Sequence, residues 1–273
     1  MAFRHHPITG EPIVFAPERA ARPNAFGRED AIVCPFCPGN ESMTPPEIAR
    51  AGDPWRVRVF PNKYPAVERH EIIVESNRHD ATFDGIDNAT EVVSVYCDRY
   101  RAHAESAYVS IFKNEGERSG ASIDHLHSQL MPLPLVPVRI AREAAAFAAA
   151  SSCPLCGPSE NIIEENDSFN RSAPAGSQHA YEQWIVPKRH KGEIASLTDD
   201  EVGALATILQ SAVRATRSIA AAHNILFMNF PRQGAGHFYI DVFPRLTSIA
   251  GFELATGMFI DIIDPAAAAR RLK

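Results

Sequence analysis

Two Cys-x-x-Cys turns, each followed by two histidines at nearly equal intervals, constrain this chain more than any other feature. Cys34-Pro35-Phe36-Cys37 is followed by His79 and, 46 positions later, by His125. Cys153-Pro154-Leu155-Cys156 is followed by His190 and, 47 positions later, by His237. Agreement at that level reads as an internal duplication, with residues 1–150 forming one half and residues 151–273 the other. The alanine-rich run AREAAAFAAASS just before the boundary reads as a short helix leading into the second Cys-x-x-Cys turn.

Each half repeats the same alternation of strands and one long helix. WRVRVFP, HEIIVES and YVSIFKN are β-rich runs in the first half, and QWIVPK, ILFMNFP and HFYIDVFP are their counterparts in the second. The stretches NATEVVSVYCDRYRAHAES and TDDEVGALATILQSAVRATRSIAAAH place apolar residues at three-to-four spacing, as amphipathic helices do. Thr198 stands as N-cap of the second, ahead of Asp199, Asp200 and Glu201. The pattern predicts an α+β fold of two similar parts, each an antiparallel sheet with one helix packed on it.

Cysteine usage points to metal rather than to disulfides. Four of the five cysteines form the two pairs, and the fifth, Cys97, sits in a helical run as a core residue. The amino terminus does not resemble an export signal and no window is apolar enough to span a membrane, so a soluble cytoplasmic protein with reduced thiols is expected. Two thiolates from a tight turn and two distant imidazoles supply the tetrahedral set that structural Zn²⁺ prefers. The expected sites are Cys34, Cys37, His79 and His125, and then Cys153, Cys156, His190 and His237. A formal net charge of −6 gives no reason to expect nucleic acid or an acidic membrane as partner.

The segment His125-Leu126-His127-Ser128-Gln129 suits a strand on which His125, His127 and Gln129 face one way. If His125 ligates metal, His127 is free to act. A neutral imidazole is a competent nucleophile near neutral pH and attacks an α-phosphorus without a stronger base. Gln129, Ser122 and amides of the Gly116 to Gly120 loop are the donors available to the phosphoryl oxygens. Aligning His125 with His237 puts Tyr239 in the place of His127 and Asp241 in that of Gln129. One catalytic centre per chain is therefore expected, in the first half. His5, His6, His70, His103, His179 and His223 belong to no such pattern and read as surface or structural residues.

HPITGEPIVFAPERAARP, CPFCPGNE, VFPNKYPAV, FKNEG and HLHSQ resemble, in order, the motifs of galactose-1-phosphate uridylyltransferases, over nearly the whole chain. That resemblance implies two histidine-triad domains, a homodimer, and ping-pong transfer through a nucleotidyl-histidine on His127, with Gln129 contacting the phosphate. It further implies Asn62 against the ribose, Phe112 and Asn114 near the nucleotide, Gly120 and Ser122 near the phosphates, and Arg19 and Arg22 as the arginines of the amino-terminal motif. Phe252 and Glu253 fit the hexose-binding segment. Leu126 replaces the usual proline between the histidines, Lys63 replaces an acidic residue, and the lysine upstream of the hexose segment has no counterpart. HLHSQ, the complete second Cys/His set and GFELATG also resemble the ADP-glucose phosphorylase branch, which passes an adenylyl group to phosphate. The readings are thus nucleotide-sugar transfer to a hexose 1-phosphate, transfer to inorganic phosphate, and a non-catalytic zinc-stabilised nucleotide-binding module.

Overall fold

The computed structural model describes residues 2–22, 33–230 and 236–273. A hairpin of β1 (Ala2–His5) and β2 (Pro12–Phe15) precedes the main body. The first half then supplies β3 (Ala49–Ala51), β4 (Val57–Pro61), β5 (Glu71–Val74), α1 (Ala89–Ala102), β6 (Tyr108–Glu115) and β7 (His127–Leu133). After α2 (Val138–Ala149), the second half supplies β8 (Ile162–Glu165), β9 (Phe169–Ser172), β10 (Gln183–Pro187), α3 (Asp199–Arg217), β11 (His223–Met228) and β12 (Tyr239–Pro244). Helices α4 (Gly251–Thr256) and α5 (Pro265–Leu272) complete the order. Among the described residues, no helix is long and apolar enough to cross a membrane.

Thr198 caps α3 as its sequence position demands. Its hydroxyl accepts from Glu201 N at 3.4 Å, while the Glu201 carboxylate accepts from Thr198 N at 2.8 Å, closing a capping box. Asp199, Asp200 and Glu201 then lie at the positive end of the helix dipole, and Arg214 and Arg217 at its negative end.

The ten main strands form one antiparallel sheet in the order β3-β4-β5-β7-β6-β11-β12-β10-β9-β8. Read from its centre outward, each side repeats the other, so the two antiparallel sheets expected of the two halves are present and share an edge. The seam is the β6–β11 ladder, in which Lys113 lies opposite Ile225 and Asn114 opposite Asn224.

Strand alternation sorts the sheet into two faces. Val59, Ile73, Leu130, Ile111, Ile225 and Ile240 point to one face and share a single core with α1 and α3, which also pack on each other. Phe60, Ile72, His127, Gln129 and Tyr239 belong to the other face, where among the described residues no long helix covers the first half. The site must therefore lie on the side away from both long helices.

The helix-side face carries a buried polar network directly behind β7. Lys113 Nζ donates to Glu75 at 2.6 Å, Tyr96 OH donates to the same carboxylate at 2.5 Å, and Ser128 Oγ also donates to it. Glu75 and Lys113 are both essentially inaccessible. Removing one member strands the other charge. Lys113→Met should destabilise the fold by about 3–5 kcal/mol, read as a lowered midpoint in urea unfolding, because the Glu75 carboxylate loses its only full counter-charge at hydrogen-bonding distance among the described residues.

Candidate active site

Both Cys/His sets assemble in space. Within each, the four ligand atoms lie within 4.8 Å of one another, and either set is suited to hold a metal ion. In the first, His125 Nδ1 stands 3.5 Å from Cys34 Sγ and 3.7 Å from Cys37 Sγ, and His79 Nδ1 stands 3.4 Å from Cys37 Sγ. In the second, His237 Nδ1 is 3.4 Å from the sulfurs of both Cys153 and Cys156, and His190 Nδ1 is 3.3 Å from that of Cys156. A tetrahedron with metal–sulfur bonds of about 2.3 Å and metal–nitrogen bonds of about 2.0 Å has sulfur–nitrogen edges of about 3.5 Å. The spacing fits a closed, four-ligand site. Tautomers agree: His125 Nε2 donates to Ser76 O at 2.8 Å and His237 Nε2 to Pro187 O at 2.9 Å, leaving Nδ1 of each as a lone pair aimed at the cysteines.

His125 precedes β7, which begins at His127, so the expected three-residue face is reduced to His127 and Gln129. The chain is held before the strand by the ring of His125, and only afterwards does regular alternation start. His127 is buried, and burial lowers its pKa to about 4, which leaves the ring neutral at neutral pH. Its Nδ1 donates to the carbonyl of His125 at 2.6 Å, so Nε2 carries the free lone pair. Phe36, from the Cys34–Cys37 turn, packs edge-on against the ring with centroids 5.3 Å apart.

The first-half face holds a cavity of about 460 Å³. Phe36, Phe60, Ile72 and Met43 give it an apolar lining, and Arg22, Asn62, Ser122, His127 and Gln129 converge on it. A second cavity, of about 340 Å³, meets it at His127 and includes Asn114 and Gly116. Arg22 donates to Ser122 Oγ at 2.5 Å, and Arg19 is tied to the carbonyl of Tyr64, so both are half-buried anchors of the amino-terminal segment. Arg19 itself lines neither cavity. Phe112 lies opposite Gln129 on the same face without lining either. Gly120 has φ of +89°, a left-handed conformation that suits glycine, and is exposed beside the cavities rather than in them. Phe252 and Glu253 lie on the exposed α4, where Glu253 accepts from Ala250 N, and neither lines either of these two cavities.

The equivalent ground in the second half is filled. Ile140, Ala144 and Phe147 of α2 pack with Met228, Phe230 and Tyr239. Tyr239 OH donates to Glu143 at 2.9 Å, and Arg139 lies 3.5 Å from the buried Asp241. Burial, and next the charge of Glu182, raise the pKa of Asp241 well above the ordinary carboxylate range. A helix is seated there, with a phenol and a protonatable acid beneath it, where the first half has an imidazole facing a cavity.

Two groups of residues escaped the sequence reading. Glu75 and Lys113 signalled themselves only as charges at core-facing positions of otherwise apolar strands. His70 gave no signal: it is buried, and its Nε2 lies 2.9 Å from Gln129 Oε1.

Residues 90–273 match the family described as a domain of unknown function, DUF4921. ADP-glucose phosphorylase of Arabidopsis thaliana is 28% identical over 96% of this chain and 89% of its own length. Galactose-1-phosphate uridylyltransferase of Thermotoga maritima is 23% identical over all of this chain and 98% of its own. A solved uridylyltransferase superposes with a TM-score of 0.86 at 27% identity, covering 100% of this chain and 98% of the other. Relatives of this kind are nucleotidyltransferases, and the duplicated arrangement is shared with them.

Proposed function

The chain belongs to the DUF4921 family, and we propose that it moves a nucleoside monophosphate from a nucleotide sugar to a phosphate-bearing acceptor through a covalent bond to His127. The observation that carries this reading is the neutral, tautomer-fixed His127, its Nε2 lone pair free beside a cavity lined by Asn62, Ser122, Arg22 and Gln129. In the first half-reaction, Nε2 attacks the α-phosphorus, the bond from phosphorus to the bridging oxygen breaks, and the sugar phosphate leaves with that electron pair. In the second, an oxygen of the acceptor phosphate attacks the same phosphorus and the pair returns to Nε2. His127 keeps its Nδ1 proton throughout. The ring is cationic in the intermediate, and the 2.6 Å bond to the His125 carbonyl opposes that charge. Arg22 and the amide of Gln129 meet the phosphoryl oxygens, and Asn62 the ribose.

Zn²⁺ is the ion we assign to both Cys/His sets. With four protein ligands each, the sets hold the ion structurally, and Cys34, Cys37, His79 and His125 thereby anchor the nucleophile's strand. Cys-x-x-Cys pairs that serve as metal ligands rather than disulfides support a reducing, cytoplasmic setting.

The acceptor has two candidates. Hexose 1-phosphate suits the uridylyltransferase resemblance; inorganic phosphate, with adenine as the base, is favoured by the higher identity of the ADP-glucose phosphorylase relative. We also propose a homodimer. Residues 249–262 expose Ile249, Phe252, Leu254, Met258, Ile260 and Ile262 in one run, apolar surface of the kind that a second copy covers. Phe252 and Glu253 lie in that run, so on this reading they reach a sugar from the partner side.

Incubating the zinc-loaded protein with UDP-glucose, UDP-galactose or ADP-glucose, and then recording intact mass under mild alkali, should reveal one added UMP or AMP. Chasing the adduct with phosphate or with galactose 1-phosphate identifies the acceptor. No adduct with any donor would sink the covalent mechanism for these substrates.

A further inference from the structure

We infer that His70 sets the direction of the Gln129 amide, so that Gln129 offers its NH₂ rather than its oxygen to the phosphoryl group bound at His127. The inference rests on the function proposed above for Gln129 and names a positioning residue for it. His70 sits just ahead of β5, at 2% exposure, and lines neither of the two cavities.

The hydrogen-bond geometry leaves one arrangement. The backbone N–H of Ala66 points to His70 Nδ1 at 3.1 Å, and a backbone N–H only donates, so Nδ1 is an acceptor and carries no proton. A neutral imidazole then bears its proton on Nε2. Burial holds the ring neutral, lowering its pKa to about 4, with the nearby Arg19 and Arg22 adding to the effect against the bond to Gln129. Among the described residues the Nε2 proton has one acceptor in reach, Gln129 Oε1 at 2.9 Å. The other near atom, Asn62 Nδ2 at 3.2 Å, is itself a donor, because Asn62 Oδ1 already accepts from Tyr64 N at 2.8 Å. One imidazole proton thereby fixes the Gln129 flip, while the Tyr64 amide fixes that of Asn62.

The consequence is a sign. With Oε1 held by His70, the Nε2 amide group of Gln129 faces the cavity as a donor, which suits an anionic phosphoryl oxygen. The reverse flip would present an oxygen to an oxyanion and leave the His70 proton buried without an acceptor. A glutamine alone does not choose between the two.

Binding reads this without requiring turnover. The probes are UMP and AMP against uridine and adenosine, measured by calorimetry on the zinc-loaded wild type, His70→Leu, His70→Gln, Gln129→Ala and the His70→Leu/Gln129→Ala pair. His70→Leu should weaken the monophosphate that binds by about 10-fold or more and leave its nucleoside within about two-fold. His70→Gln, which keeps a donor near the Nε2 position, should restore most of the loss. In the Gln129→Ala background, His70→Leu should add nothing. Equal loss for nucleoside and monophosphate, additive effects, or no preference of the wild type for monophosphate over nucleoside would each overturn the inference. A wild type that prefers the monophosphate yet forms no covalent adduct would instead refute the proposed reaction and leave His70's role standing.

Discussion

His127→Ala is expected to lower turnover by at least about 10³-fold, the order seen when a covalent nucleophile is removed, and to eliminate the nucleotide adduct in intact mass. The magnitude reflects the chemistry that the residue supplies. Among the described residues it is the only imidazole lining the cavities whose ring nitrogen is both deprotonated and unclaimed, since His125 and His79 turn their Nδ1 atoms to the cysteines. No neighbour can take over. Tyr239, which stands at the corresponding place in the second half, is bonded to Glu143 beneath α2. Stability should change far less than activity, because alanine leaves the β7 ladder intact, although the contact with Phe36 is lost. Steady-state rates, adduct mass and melting temperature measured on the same preparation separate the two effects. A variant that still acquires the nucleotide would place the covalent bond elsewhere.

The second large effect concerns the metal, and it should be unequal between the two sites. Cys34→Ser and Cys153→Ser each break one tetrahedron, and metal analysis should show one ion fewer per chain in either variant. Each should lose several kcal/mol of stability. Turnover should separate them: we expect Cys34→Ser to fall by about 100-fold and Cys153→Ser to retain the wild-type rate within about a few-fold at temperatures where it is folded. The asymmetry comes from connectivity. His125 gives its ring to the first Cys/His set and its carbonyl to the Nδ1 proton of His127, so on the proposed mechanism a slack ligand is felt by the nucleophile two residues on. His237 has the same place in the second set, but the residue two positions beyond it is Tyr239, under a helix. Equal losses of rate in both variants would show that the second set matters to chemistry as much as the first.

The repeat of Cys-x-x-Cys and paired histidines was enough to reveal the duplication, because four residues that converge on one point tie distant positions to fixed spacings and leave them visible in one dimension. Alternation in WRVRVFP and YVSIFKN, and the Thr198 cap, carried the strands and α3 for the same reason: each is a local rule. The seam between β6 and β11 was not legible, since edge pairing between two runs 110 residues apart leaves no local mark. The face shared by His125, His127 and Gln129 was drawn one residue too long because the His125 ring turns to the Ser76 carbonyl and the cysteines ahead of the strand, which competes with regular alternation. His70 was invisible. Its task depends on which atom of an amide faces which atom of a ring, and a sequence has no record of that orientation.

The seam has a consequence for how such a chain can evolve. Lys113 and Ile225 face each other where an approximate two-fold axis crosses the sheet, so the molecule is built as a pair of like subunits would be, edge to edge, but with a peptide link between them. A true pair encoded by one gene must change both members together: to lose a nucleophile in one is to lose it in both. Joining the copies in one polypeptide lifts that obligation. One half could carry phenol where the other carries imidazole and accept a helix over that ground, keeping its share of the ladder and its Cys/His set, while the other half kept the imidazole beside an open cavity.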